Sequence, residues 1–244
     1  KSMNSLSGIL FRKKPGFILM TFIQKVWAIV WKDIASELRT KEMLLSMCLF
    51  SFLVLIVFNF TFDTGLKNLR ENISGILWVA FIFSGLMGLG RSFGVERDKG
   101  TLHGLLLCPI SPWGIYLGKM IGVFIFMVVM EIFTLSVFTV LYNINIIPFL
   151  LPLGLIIFLG TLGFATIGTV FSAMSATTKA RDVMLSILVF PISVPMIIAL
   201  VKATYIILWG GAIQEIYPWL KILIAFDLVF LLLAYLTFGF IIEE

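Results

Sequence analysis

Six long apolar stretches dominate the sequence, running from about Met43 to Phe62, Ile73 to Gly90, Trp113 to Tyr142, Ile146 to Met174, Val183 to Trp209 and Trp219 to Ile242. A hydrocarbon layer about 30 Å thick is crossed by a helix of about 20 residues. Each stretch is of that order, and the third to fifth are long enough to tilt or to project beyond the bilayer. In lipid every backbone amide must be bonded within the chain, which excludes open sheets. The expectation is an all-α integral membrane protein with six transmembrane helices. A water-soluble fold fails on composition: 60% of the residues are hydrophobic and 13% charged. With a mean hydropathy of +1.10, too few polar side chains remain to clothe a core.

Between Phe17 and Glu42 the pattern changes. Apolar residues recur at Phe22, Ile23, Val26, Trp27, Val30, Ile34 and Leu38, interrupted by Lys25, Lys32, Asp33, Arg39 and Lys41. This reads as an N-terminal amphipathic interfacial helix, too charged to span. Trp27 and Trp31 suit a helix lying on the membrane surface, and a first helix folded back on the bundle fits nearly the same pattern. Arg12, Lys13 and Lys14 precede a broken apolar stretch without a small-residue cleavage site, so no removable signal peptide is expected. The organisation expected is a cytoplasmic N-terminal segment, residues 1–42, followed by one six-helix transmembrane domain, residues 43–244, with a cytoplasmic segment at 91–112. No internal repeat is visible, and Asn143-Ile144-Asn145 is too short a link to hold a further domain.

The formal net charge of +5 is placed to orient the chain. Lys and Arg concentrate before the first span, at Arg91, Arg97 and Lys99, and at Lys179 and Arg181, whereas the alternate connections offer Lys67, Arg70 and Lys221. By the positive-inside rule both termini are expected to be cytoplasmic. These basic residues have few aromatic neighbours and read as headgroup contacts, not as a nucleic-acid surface. Cys48 and Cys108 have no paired spacing, and His103 is the sole histidine. Neither a metal site nor a stable haem ligand set is expected.

The chain has no nucleotide site of its own. Gly118-Lys119 lacks the glycine loop that cradles phosphates, so ATP, if used, must bind a partner. The most informative connection is Arg91 to Pro112. There the charged cluster Glu96-Arg97-Asp98-Lys99 reads as a turn, followed by Gly100-Thr101-Leu102 and a short apolar helix ending at Pro109. It is either a handle for a soluble partner or an ordinary charged loop. Within the spans, Gly114, Gly118 and Gly122 form a smooth stripe for close helix approach. Pro191 and Pro195 remove backbone donors and read as a gate or hinge, or as a static kink, with Ser186 and Ser193 available to satisfy the freed carbonyls. Glu131 and Asp227 are the ionisable residues deepest in the bilayer, at similar depth, and are expected to point inward. They form either a polar bundle lining facing one cavity, with a proton-linked role, or a protonated or hydrogen-bonded interhelix pair.

The run ERDKGTLHGLLLCPIS, Glu96 to Ser111, resembles the cytoplasmic coupling segment of type-2 ABC exporter permeases. More narrowly, ILWVAFIFSGLMGLGRSF before it and MLSILVFPISVPMIIAL in the fifth span resemble the CcmB family, the permease subunit of the cytochrome c maturation haem exporter. The resemblance implies a type-2 ABC exporter-like fold in the bacterial cytoplasmic (inner) membrane. It further implies ATP hydrolysis on a separate CcmA-like ABC ATPase, CcmC-like and CcmD-like membrane partners, a CcmE-like haem chaperone and a second copy of the chain. Haem is then the cargo, or the chaperone loaded with it is what ATP hydrolysis releases, and this chain is not itself an enzyme. Carried over by position, Glu96, Arg97, Gly100, Thr101 and Leu102 are the ATPase-coupling residues, while His103 stands where the broader pattern has an acid. The alternatives are an ion-coupled secondary transporter, which the two buried acids suit but which usually shows related halves, and a passive assembly scaffold.

Overall fold

The computed structural model describes residues 15–61, 66–98, 100, 104, 110–176, 178 and 180–243. Seven long helices lie among them: α1 (Pro15–Thr40), α2 (Glu42–Thr61), α3 (Leu66–Asp98), α4 (Pro112–Tyr142), α5 (Leu150–Ser175), α6 (Arg181–Leu208) and α7 (Tyr217–Glu243). The described residues contain no strand. Helices α2 to α7 supply six segments long and apolar enough to cross a membrane, each within a few residues of the sequence reading.

Helix ends follow local chemistry. Pro112 sits in the first turn of α4, where its missing N–H costs nothing, and the Ser111 hydroxyl accepts from the Gly114 amide at 3.3 Å. Asn143 closes α4 in the left-handed conformation, φ 50°. Between α1 and α2 the chain turns at Lys41, φ 56°. The buried Glu37 carboxylate accepts from the Leu44 amide at 2.9 Å, so α1 caps the helix that follows it.

Helices α3 and α5 are central: α3 packs against α2, α4, α5 and α6, and α5 against α3, α4, α6 and α7. Helices α2 and α7 lie outermost and expose apolar ridges, Leu45, Leu49, Leu53 and Val57 on one and Leu228, Leu232, Leu236 and Phe240 on the other. Such ridges are a liability in water and ordinary in lipid. Inside, hydroxyl and indole groups tie neighbours together. Trp78 Nε1 donates to Thr204 Oγ1 at 2.9 Å, Ser172 Oγ to the Leu89 carbonyl at 2.7 Å, and Thr134 Oγ1 to Ser51 Oγ at 2.9 Å.

Helix α1 is folded back on the bundle. At 100° per residue its circumference divides into three strips. Val26, Ile29, Val30 and Glu37 are buried, and the helix packs mainly on α4. An adjacent strip of Ile23, Trp27, Trp31 and Leu38 is exposed and apolar, and the third carries Gln24, Lys25, Lys32 and Arg39. The helix is folded back on the bundle while still offering an apolar edge. The glycine stripe of α4 is its seat. A methyl group at Gly118 would lie 2.8 Å from Ile29 Cβ, and Asp33 faces Gly122.

Candidate functional site

The end of α3 differs from the charged turn expected. Glu96, Arg97 and Asp98 belong to the helix itself. The physical reason is that Glu96 points inward, 6% exposed, and is gripped by cations from two other helices. Its Oε1 accepts from Lys119 Nζ of α4 and from Lys32 Nζ of α1, the latter at 2.6 Å. Lys119 is 1% exposed. Its ammonium also donates to the Ser92 carbonyl at 2.8 Å, lies 3.0 Å from Asp33 Oδ2, and stands 5.4 Å from the centroid of the Phe93 ring. Lys32 reaches Asp33 Oδ1 at 3.1 Å, so two cations and two anions close a single network across α1, α3 and α4. A cavity of about 390 Å³ opens beside it, lined among others by Ser36, Glu37, Glu42 and Arg91.

Burial by itself raises the Glu96 pKa, but the Lys119 and Lys32 ammonium groups overcome it and hold the carboxyl below its ordinary value. Burial of Lys32 pulls the other way from its partners. Desolvation lowers its pKa, Asp33 and Glu96 raise it, and the net shift is upward. Glu96 is therefore an anion and Lys32 a cation in the neutral range.

The other expected coupling residues fall less fully within view. Arg97 lies in the last turn of α3, and its side chain lies outside the described structure. Gly100 is exposed with φ +65° and nothing near the position of a Cβ, so its demand for glycine comes from the backbone alone. Thr101, Leu102 and His103 lie outside the described residues. Sequence reasoning missed Lys119, Lys32 and Asp33 as members of this site. A signal existed: a lysine inside an apolar span needs a partner.

In α6 both Pro191 and Pro195 sit on the exposed face, and the helix is continuous from Arg181 to Leu208. Ser193 Oγ bonds the Val189 carbonyl at 2.7 Å, which is neither of the carbonyls, Ile187 and Pro191, that the prolines free. This corrects the role expected of Ser193. The hydroxyl is on the buried face, and there it takes the carbonyl four residues back.

Glu131 and Asp227 are both buried, 2% and 4% exposed. Thr161 Oγ1 lies 2.6 Å from Glu131 Oε1. Asp227 packs where a methyl group at Gly163 would collide with it and with Met196. The two acids reach the same stretch of α5, Glu131 at Thr161 and beside a small void, and Asp227 at Gly163. Among the described residues no three His, Cys, Asp or Glu side chains converge as metal ligands.

Known proteins resemble the chain over most of its length. It is 27% identical over 150 residues, 61% of this chain and 68% of the relative, to the Heme exporter protein B of Rhodobacter capsulatus. The sequence profile of the CcmB protein family matches residues 24–243. That match runs from within α1 through all six membrane-length helices to the end of α7, and the chain belongs to the CcmB family.

Proposed function

We propose that this chain is the permease subunit of an ATP-driven exporter serving haem delivery, and that Glu96 joins its coupling segment to the bundle. Family membership and the name of the relative support the haem pathway. The observation that carries the mechanism is the buried ion network. The segment resembling an ABC coupling loop begins at an acid bonded to α4 and to α1. A push on Gly100 and the residues after it by a CcmA-like ATPase would reach Glu96, near the end of α3. From there it passes through Lys119 into α4 and through Lys32 into α1. ATP closure then becomes a rearrangement of packed helices, as a bistable interface requires.

The distribution of Lys and Arg supports an orientation with residues 91–112 and both termini on the cytoplasmic side, where such an ATPase works. CcmC-like and CcmD-like subunits, a CcmE-like chaperone and a second copy of the chain complete the proposed assembly, with haem or the haem-loaded chaperone as its cargo. An ion-coupled secondary transporter is the competing reading, favoured by the buried Glu131 and Asp227.

Co-purification from native membrane separates the two. The ABC reading expects a separate ATPase to accompany the chain, with hydrolysis lowered by Glu96→Gln and by Gly100→Ala. A chain that purifies alone and transports on a proton gradient overturns it.

A further inference from the structure

Glu131 lies twelve residues beyond Lys119 on α4, about 18 Å along the axis at about 1.5 Å per residue, and belongs to a different environment from the ion network. Two oxygens compete for one hydrogen there. Thr161 Oγ1 is 2.6 Å from Glu131 Oε1 and 2.8 Å from the Ile157 carbonyl, yet a hydroxyl carries a single proton to donate. With Glu131 ionised, Thr161 serves one acceptor and leaves the other facing a lone pair at hydrogen-bond distance. Both contacts are hydrogen bonds when Glu131 itself carries a proton, donates it to Thr161, and Thr161 donates on to Ile157.

The surroundings point the same way. Glu131 lines a void of about 10 Å³ whose wall includes Trp78 and Phe81 of α3, Met127 of α4, Phe164 of α5, and Met196 and Leu200 of α6. No other side chain in that wall is charged or titratable. Its second oxygen, Oε2, is buried without a hydrogen-bond partner among the described residues. Asp33 of α1 and Glu96 of α3 meet α4 at Lys119, and Lys32 binds those two acids. From α2 the polar contacts are neutral: the Ser51 hydroxyl on Thr134, the Leu55 carbonyl on the Tyr142 hydroxyl and the Asn59 amide on the Leu141 carbonyl. On α7, Asp227 lies against Gly163 and Met196, with both carboxyl oxygens buried and likewise without a partner among the described residues. No cation reaches either acid among these contacts. Met196 borders both environments, since it lines the Glu131 void and meets Asp227 across Gly163.

We propose that Glu131 is a proton-binding site within the membrane. It is a neutral carboxylic acid that donates to Thr161 across the packed contact of α4 and α5. Asp227 is a second neutral acid on the far side of Gly163. Met196, next to Pro195, makes the position of α6 the element to which both are sensitive. This inference does not depend on what drives transport.

The test is infrared spectroscopy of the purified full chain in lipid vesicles at neutral pH, read at the carbonyl stretch of protonated carboxyl groups. The proposal expects that band in the wild type, a loss of part of it in Glu131→Gln, and a further loss when Asp227→Asn is added. Thr161→Val keeps Glu131 and removes its acceptor, so the Glu131 component must remain and shift to higher frequency. Absence of the band in the wild type overturns the proposal, as does a band unaltered by both Glu131→Gln and Thr161→Val. If Glu131→Gln does not fold, the Thr161→Val shift decides alone.

Discussion

Replacing Lys119 by Met tests the ion network most directly. Met keeps most of the apolar length of the side chain, and the change removes the ammonium that Glu96, Asp33 and the Ser92 carbonyl share. Breaking a buried pair from one side costs about 3 to 5 kcal/mol, because the surviving charge stays in low dielectric. Lys32 still neutralises part of the Glu96 charge, although its side chain is 48% exposed and its contribution is screened by solvent. The expected loss is therefore about 3 kcal/mol, the lower end of that range. The double variant Lys119→Met with Glu96→Gln leaves no carboxylate stranded at position 96, so it must be less damaged than the sum of the two single variants, with a coupling of about 1 to 3 kcal/mol. Titration with SDS in mixed micelles, followed by tryptophan fluorescence, measures all three against wild type. A loss under about 1 kcal/mol for Lys119→Met, or additive single variants, refutes the claim that this network joins the helices.

Four further outcomes follow from the same geometry. Gly118→Ala places a methyl group 2.8 Å from Ile29 Cβ, so α1 is expected to lift from α4 at a cost of about 1 to 3 kcal/mol, seen as faster tryptic cleavage at Lys25 and Lys32. Glu96 has a depressed pKa, so its stabilising contribution is complete above the ordinary glutamate value near about 4.3 and is lost as pH falls through its lower folded value. Unfolding measured from neutral to acid pH must therefore show a steep acid limb that Glu96→Gln flattens. Gly100→Ala, at φ +65°, strains the backbone by about 1 to 2 kcal/mol without touching a neighbour. It is expected to lower partner ATPase stimulation more than bundle stability. Trp78→Phe removes the donor to Thr204 and is expected to cost about 0.6 to 2 kcal/mol in the same SDS titration.

Much of the fold was legible because partition into lipid depends on local composition. The six spans could be placed within a few residues without knowing what any of them touches. The exceptions have physical causes. Hydropathy ends the second span at Gly90, but α3 continues to Asp98, because Glu96 finds its counter-charges on other helices and has no need to leave the helix for water. The α4 glycines announced a close approach without naming the partner, which is α1 and not another span. Glu131 and Asp227 were expected to face inward on the cost of charge in lipid alone, and they are buried. That they flank α5 separately, on Thr161 and on Gly163, depends on helix rotation, which no hydropathy profile records.

The sequence by itself determined how many times the chain can cross a membrane, which helix is amphipathic, and which segment resembles an ABC coupling loop. The tertiary structure alone decided which charges meet. Lys119 and Glu96 stand 23 residues apart, and Lys32 and Glu96 stand 64 apart. Burying a helix depends on how much apolar surface its own residues carry, whereas pairing two buried charges depends on the rotation and register of helices that are distant in the chain.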